Sequence, residues 1–232
     1  MNIKEFDPNS QKFEELENEV EADALVSTYP DSSKAWIIYM IYHLKLAEVT
    51  KARMIAKRGI QTINFRKDDE KLNVWKALLN LEAHYGSRES LFSIFEEALI
   101  YNDKKKAYFH MLELLIDADK TEEIESFSER ILKHFKNDKD VYLILCNYYM
   151  KTGKRKEARN FYGKSLQCLP NKQHPDIMGR FAFLEYKYGD IERSFSLFEE
   201  VLVKYPKRRD LRNIFVHILK STGQEERANS LL

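Results

Sequence analysis

Apolar residues recur along most of this chain at steps of three and four, the period that places side chains on one face of an α-helix. Between residues 190 and 204, Ile191, Phe195, Phe198 and Leu202 fall on one such stripe, while Glu192, Glu199 and Glu200 lie off it. A helix of this kind has one face for a core and one for water.

The helical signal itself repeats at a longer period. Ala47, Gly86, Asp119, Gly153, Gly189 and Gly223 each separate two helical stretches, at spacings of 39, 33, 34, 36 and 34 residues. Eleven residues before them stand Trp36, Trp75, Tyr108, Tyr142, Met178 and Arg212. Five residues after come Ala52, Leu91, Ile124, Ala158, Ser194 and Ala228, and four further on Ala56, Phe95, Ser128, Tyr162, Phe198 and Leu232. Each unit reads as helix A, a short turn, helix B and a connector. Pro30, Pro170 and Pro206 mark three connectors, because proline cannot continue a helix; Asn102 and Asn137 hold comparable places.

A lone pair of helices cannot bury such a stripe, so pairs must stack. The expected fold class is all-α, a right-handed α-solenoid of about six helix-turn-helix repeats, near residues 31–66, 67–102, 103–137, 138–171, 172–206 and 207–232. Residues 11–30 are expected to form an N-terminal capping helix and residues 1–10 a flexible leader, with residues 11–232 making a single solenoid domain.

Composition narrows the picture. Only 7 Gly and 5 Pro in 232 residues are too few for the frequent turns of sandwiches and barrels. With 44% hydrophobic and 12% aromatic residues, the chain is too apolar to be disordered, and it is long enough to bury a core without staples. Cys146 and Cys168 sit inside apolar helical stretches and are expected to be small buried thiols in a reducing compartment. The longest unbroken apolar run, residues 35–42, is far shorter than the roughly 20 residues a membrane span needs. No apolar signal segment and no N-x-Ser/Thr site are seen, so an intracellular location is expected.

The net charge of +1 hides a strong asymmetry. Residues 1–30 carry 2 basic and 8 acidic groups, whereas residues 151–232 carry 17 basic and 10 acidic groups. Lys151, Lys154, Arg155, Lys156 and Arg159 cluster at the turn of the fourth unit. Lys204, Lys207, Arg208, Arg209 and Arg212 cluster at the connector into the sixth. These ten residues are the candidate contacts for RNA or an acidic partner, set against their reading as salt-bridged, solvated helix ends. Lys104, Lys105 and Lys106 form a weaker cluster.

Signals for catalysis are poorer. Gly163, Lys164 and Ser165 resemble part of a phosphate loop, but they lie inside a helical stretch where no backbone nest can form. The six histidines show no H-E-x-x-H and no cysteine at ligand spacing. Asp117 and Asp119, two apart, point to different sides of a helix end. Tyr148, Tyr149, Phe161 and Tyr162 are expected in the core rather than stacked on bases. The expectation is a non-enzyme with no cofactor, no metal and no small-molecule substrate.

A period near 34 with an aromatic-rich helix A resembles the tetratricopeptide repeat and the half-a-tetratricopeptide repeat of RNA-processing proteins. Trp36-x-x-Tyr39, the glutamates of Leu81-Glu82 and Leu184-Glu185, and Ala52-Arg53 and Ala158-Arg159 favour the second, with Glu and Arg read as a structural pair. Two longer strings narrow the likeness. The first runs Thr62-Ile63-Asn64-Phe65-Arg66, then Glu70-Lys71-Leu72-Asn73-Val74-Trp75, then Leu79-Asn80-Leu81-Glu82. The second includes Phe181-Ala182-Phe183-Leu184-Glu185-Tyr186, Gly189-Asp190-Ile191-Glu192-Arg193 and Tyr205-Pro206-Lys207-Arg208-Arg209-Asp210-Leu211.

Over residues 30–232 the chain resembles the C-terminal helical-repeat domain of the ribosomal RNA-processing protein five family, called programmed cell death protein eleven in animals. Arg212 departs from the pattern, where an aromatic is expected. The resemblance implies a non-catalytic scaffold of ribosome biogenesis in the nucleolus or nucleus, needed for early small-subunit rRNA cleavage and pre-ribosome assembly. It implies pre-ribosomal proteins and small nucleolar ribonucleoprotein components as partners, with direct pre-rRNA contact open, and no membrane. The alternatives are a co-chaperone-type tetratricopeptide module that captures a peptide, and a half-a-tetratricopeptide scaffold of mRNA 3′-end processing or splicing.

Overall fold

The computed structural model describes residues 18–231, so the expected leader and the first part of the capping helix lie outside the described residues. Thirteen α-helices and one short 3-10 helix make up the regular structure, and no strand occurs among the described residues. The chain divides into two compact units, Met1–Thr121 and Glu122–Leu232.

The first unit holds α1 (Glu19–Thr28), α2 (Ser33–Lys45), α3 (Val49–Thr62), α4 (Asp68–Tyr85), α5 (Arg88–Tyr101) and α6 (Lys104–Asp117). Asn18 starts α1 by accepting the Glu21 N–H at 3.0 Å, and Glu19 and Glu21 sit favourably at the positive end of the helix dipole. This helix buries Ala22 and Val26 against α2, in one cluster with Trp36, Tyr39, Ala52 and Ala56. Further along, α2 packs on α3 and α4, and α4 packs on α5 and α6.

The second unit holds α7 (Thr121–Phe135), α8 (Lys139–Lys151), α9 (Arg155–Cys168), α10 (His174–Tyr188), α11 (Ile191–Lys204), α12 (Arg209–Ser221) and α13 (Glu225–Asn229). Here α8 packs on α9 and α10, α10 on α11, and α12 on both α11 and α13. Tyr162 stacks on Phe181 with ring centroids 4.2 Å apart, and Phe198 on Phe215 at 5.1 Å, so α9 and α11 each fill the space beside the next helix A. Both units are therefore all-α stacks of helix pairs.

The worked stripe of α11 is rotated slightly from its expected setting. Ser194, Phe195, Leu197, Phe198 and Val201 are buried, whereas Ile191, the first helical residue, is exposed at the turn. Cys146 is buried, but Cys168 is exposed because it is the last residue of α9, which corrects the expectation of two buried thiols. Burial pushes the Cys146 thiol, which donates to the Ala158 carbonyl at 3.6 Å, up to about 12. Five of the aligned residues of helix A, Trp36, Trp75, Tyr108, Tyr142 and Met178, are buried. Arg212 is instead part-exposed and donates to the Pro206 carbonyl at 3.3 Å, while Leu211 and Phe215 fill the core beside it.

The six aligned turn residues divide into two geometries. Ala47, Asp119, Gly153 and Gly223 have φ of 59°, 51°, 77° and 76°, the left-handed conformation that closes a helix. Three of these turns add the long-range closing bond of such caps: Glu48 N–H to His43 O at 2.9 Å, Lys120 N–H to Leu115 O at 3.0 Å and Gln224 N–H to Leu219 O at 2.8 Å. Gly86 and Gly189 have negative φ and are needed for another reason. A Cβ on Gly86 would overlap Glu82 Oε2, and a Cβ on Gly189 would overlap Glu185 Oε2. These two glycines make room for a carboxylate.

Both carboxylates are buried, and both are held by an arginine from the preceding helix B. Arg53 Nε donates to Glu82 Oε1 at 2.6 Å and its Nη2 to Oε2 at 3.2 Å, while the Ser90 hydroxyl donates to Oε2 at 2.7 Å. Arg159 holds Glu185 in the same fork at 2.7 and 3.0 Å; Arg193 adds an ion pair at 3.2 Å, and the Asp190 N–H donates at 3.1 Å. Glu185 is 0% exposed. Its charge is tolerated because two guanidinium groups and a backbone N–H meet it. The same position four residues before the turn is taken by His43, Leu115, Tyr149 and Leu219 in the other repeats, all buried, so this ion pair marks two junctions only.

Arg53→Met should lower stability by about 3 kcal/mol, because Glu82 is then left buried with the Ser90 hydroxyl and no cation. Adding Glu82→Leu should recover most of that loss, and urea unfolding of the two variants measures both effects. A second prediction concerns His110, whose Nε2 is buried with no partner among the described residues. Burial, and secondarily the Lys76 charge, push its pKa from 6.5 to about 4. The unfolded chain takes up this proton first, so stability should fall by up to about 3 kcal/mol as pH drops from 6.5 to 4. His110→Gln should flatten that part of the profile of urea midpoint against pH.

Candidate contact surface

The ten basic residues singled out in the sequence all lie in the second unit, at two kinds of helix end. Lys151 closes α8, Gly153 turns the chain with its left-handed φ, and Lys154, Arg155, Lys156 and Arg159 open α9. Lys204 closes α11, Arg208 and Arg209 start α12, and Lys207 and Arg212 flank that start.

These side chains are not equally available. Arg159 is committed to the buried Glu185, which raises its pKa further. Arg208 forks onto Asp210 at 2.9 and 2.7 Å and reaches Asp176 at 2.7 Å. Its guanidinium pulls the Asp210 carboxyl down to about 2. Lys154 pairs with Glu125 on α7 at 2.6 Å, and Lys204 with Glu200 one turn earlier at 2.6 Å. Arg212 donates to a backbone carbonyl. Lys151, Arg155, Lys156, Lys207 and Arg209 hold no carboxylate among the described residues.

Around Arg208 the connector edge is a chain of charges. Lys139 on α8 reaches Asp176 on α10 at 2.9 Å, and Asp176 in turn receives Arg208 at the start of α12. Lys139 first, then Arg208, hold the Asp176 carboxyl below its ordinary range. The first unit repeats the device: Glu70 on α4 accepts the Ser33 N–H of α2 at 2.6 Å, and Asp69 pairs with Lys106 of α6 at 2.7 Å. So Lys106, in the weaker basic cluster, is also paired. Such links tie helix starts together across a stack.

Around Gly153 the charges run against the local dipole. Arg155 and Lys156 occupy the first turn of α9, where the helix end is already positive and where cations cost about 0.3–1 kcal/mol each. Glu157, the acid of that turn, makes no ion pair with them among the described residues. What this turn can do chemically is attract an anion through exposed guanidinium and ammonium groups, without base readout.

The other signals resolve simply. Lys164 lies over the Phe161 ring at 5.5 Å, and the Ser165 hydroxyl is buried and donates to the Tyr162 carbonyl at 2.6 Å, all inside α9. Tyr148, Tyr149 and Tyr162 are buried, while Phe161 is only half-buried and stacks on Tyr149 at 5.2 Å. No group of three or more His, Cys, Asp or Glu is placed to hold a metal ion among the described residues. No helix among them is long and apolar enough to cross a membrane. Arg193, the second cation on Glu185, was not singled out in the sequence, because only folding brings α11 back against the end of α10.

Fold and surface together define a helical-repeat protein with charged helix ends. No protein-family model matches the chain. It is 38% identical over 204 residues to the human protein RRP5 homolog and 42% identical over 187 residues to the rRNA biogenesis protein rrp5 of Schizosaccharomyces pombe. It is also 36% identical over 217 residues to the rRNA biogenesis protein RRP5 of Arabidopsis thaliana. These alignments take in 88%, 81% and 93% of this chain, yet the chain spans only 11% of each relative. The chain is therefore homologous to one segment of proteins named RRP5. Among solved structures it is similar to a chain of the APC/C hetero-tetramer Cut9-Hcn1, with a TM-score of 0.41 and 12% identity over 91% of this chain and 41% of that one. A likeness this distant carries no argument about function.

Proposed function

We propose that this chain is a non-catalytic scaffold of ribosome biogenesis, which supports early small-subunit rRNA cleavage and pre-ribosome assembly by holding protein partners and pre-rRNA. Pre-ribosomal proteins and small nucleolar ribonucleoprotein components are its partners in this reading, and the nucleolus is its place of work. It corresponds to the C-terminal repeat domain of the longer family members. Support comes from relatives in human, fission yeast and plant that share the RRP5 name, two of them named as rRNA biogenesis proteins, and that align over most of this chain.

The observation that carries the RNA part is the set of exposed cations at the α8–α9 turn. Lys151, Arg155 and Lys156 face water and hold no carboxylate among the described residues, two of them placed against the helix dipole. That arrangement has an electrostatic cost in the free protein and is repaid when a phosphate arrives. Lys207 and Arg209 form a smaller second contact at the start of α12. Arg159 and Arg208 serve the fold in this reading.

The test is fluorescence anisotropy of the full chain with a structured pre-rRNA segment across a salt series, beside an Arg155→Ala/Lys156→Ala variant. The expected result is a salt slope shallower by up to about 2 in the variant, since each duplex phosphate contact contributes about 0.9. An unchanged slope would remove RNA from this turn. No binding even at low salt would leave protein docking as the domain's work.

A further inference from the structure

Two turns of the second unit are built alike and surrounded by opposite charge. Thr152 closes α8 and Thr222 closes α12, each followed by a glycine of left-handed φ, Gly153 at 77° and Gly223 at 76°. Thr152 Oγ1 lies 3.0 Å from the Tyr148 carbonyl and 3.4 Å from that of Tyr149, and donates to them. Thr222 Oγ1 serves Ile218 and Leu219 in the same way at 3.0 and 3.1 Å. After the glycine the first turn continues with Lys154, Arg155 and Lys156, and the second with Gln224, Glu225 and Glu226.

The basic turn lacks an anion. Lys154, the residue before α9, offers no side-chain acceptor to the N–H groups of the first turn, whereas Asp190 caps α11 by accepting the Arg193 N–H at 3.1 Å. Arg155 and Lys156 add charge to that already positive helix end. With Lys151 they are exposed and hold no carboxylate among the described residues. Thr152 carries the hydroxyl of this turn and is itself exposed. It precedes a glycine with nothing within 4 Å of where a Cβ would stand, so the turn is open to an approaching protein.

We infer that Thr152 is a phosphorylation site for a protein kinase that reads basic residues, and that the phosphate, held by the cations of its own turn, displaces RNA from them. In the transfer, Oγ1 attacks the γ-phosphorus of ATP, the bond from that phosphorus to ADP breaks, and the hydroxyl proton passes to the catalytic base of the kinase. The product carries about −1.5 to −2 charge at neutral pH, close to what Arg155 and Lys156 together supply. Because it is tethered beside them, it competes with an RNA phosphate at high effective concentration. The carbonyl end of α8 opposes a phosphate, and the uncapped start of α9 with its cations outweighs that opposition. A phosphate on Thr222 meets Glu225 and Glu226 instead and has no such compensation. The displacement of RNA rests on the RNA contact proposed for the α8–α9 turn; the site of phosphorylation does not.

The test prepares the full chain in two ways. One sample is treated with ATP and the catalytic fragment of protein kinase C, a basic-directed enzyme, and the other is made with phosphothreonine placed at position 152 during synthesis. Mass spectrometry of the treated chain should find phosphate on Thr152 and none on Thr222, and Thr152→Val should remove it. The chain with phosphothreonine at 152 should melt about 2–4 °C above the parent, and one with phosphothreonine at 222 should not. Phosphate at 152 should weaken binding of the structured pre-rRNA segment at least about tenfold at low salt, with a salt slope shallower by about 2. The inference is overturned if the kinase leaves Thr152 unmodified, if phosphate at 152 lowers the thermal midpoint, or if RNA binding and its salt slope do not change. An unmodified chain that binds no RNA defeats the functional reading, and the phosphate stoichiometry and thermal midpoint then decide the site by themselves.

Discussion

Each helix pair in this protein has more apolar surface than it can hide by itself, and burying that surplus against the next pair is the constraint on which the remaining structure depends. The rings of Tyr162 and Phe181, and of Phe198 and Phe215, show the result, with side chains of one helix B lying flat against the next helix A. Burial of this kind is strong but non-directional. At two junctions a directional element is added, a glutamate that projects into the seam and is met by an arginine fork. Glu82 and Glu185 do not add much net stability in their ionised form, since desolvation offsets most of the attraction. They do fix how one pair meets the next, because a shifted pair would leave a carboxylate buried and alone.

Charge outside the seams is divided between structural and available groups. Asp176 joins Lys139 and Arg208 at the helix starts, and Glu125 engages Lys154 across two B helices. Those cations are occupied by the fold. Others, at the α8–α9 turn, hold no carboxylate among the described residues, and a surface in that state is suited to anionic partners.

The repeat period, the helix pairs and the expectation that Glu and Arg form a structural pair were all legible, because a 34-residue recurrence of aromatic and small residues reflects local periodicity that every copy shares. The basic clusters were legible as clusters and not as sites. Arg159 and Lys156 look alike along the chain, yet one forks onto Glu185 and the other faces water. The aligned glycines also looked equivalent. Gly153 and Gly223 serve a left-handed backbone, whereas Gly86 and Gly189 vacate space for a carboxylate from one turn earlier. Alignment by residue type could not separate backbone conformation from side-chain room.

By itself, then, the sequence determined the all-α class, the sequence period of the repeats and kinship with rRNA biogenesis proteins, since these rest on spacing and on strings of residues read along one dimension. Tertiary structure decided which charges are spent and which remain. It brought Arg193 onto Glu185, left Cys168 exposed at a helix end, and tied Lys139, Asp176 and Arg208 from three separate repeats into one chain of charges. The physical reason is that pairing and exposure depend on distances between helices some thirty-five residues apart in sequence, which no local pattern encodes.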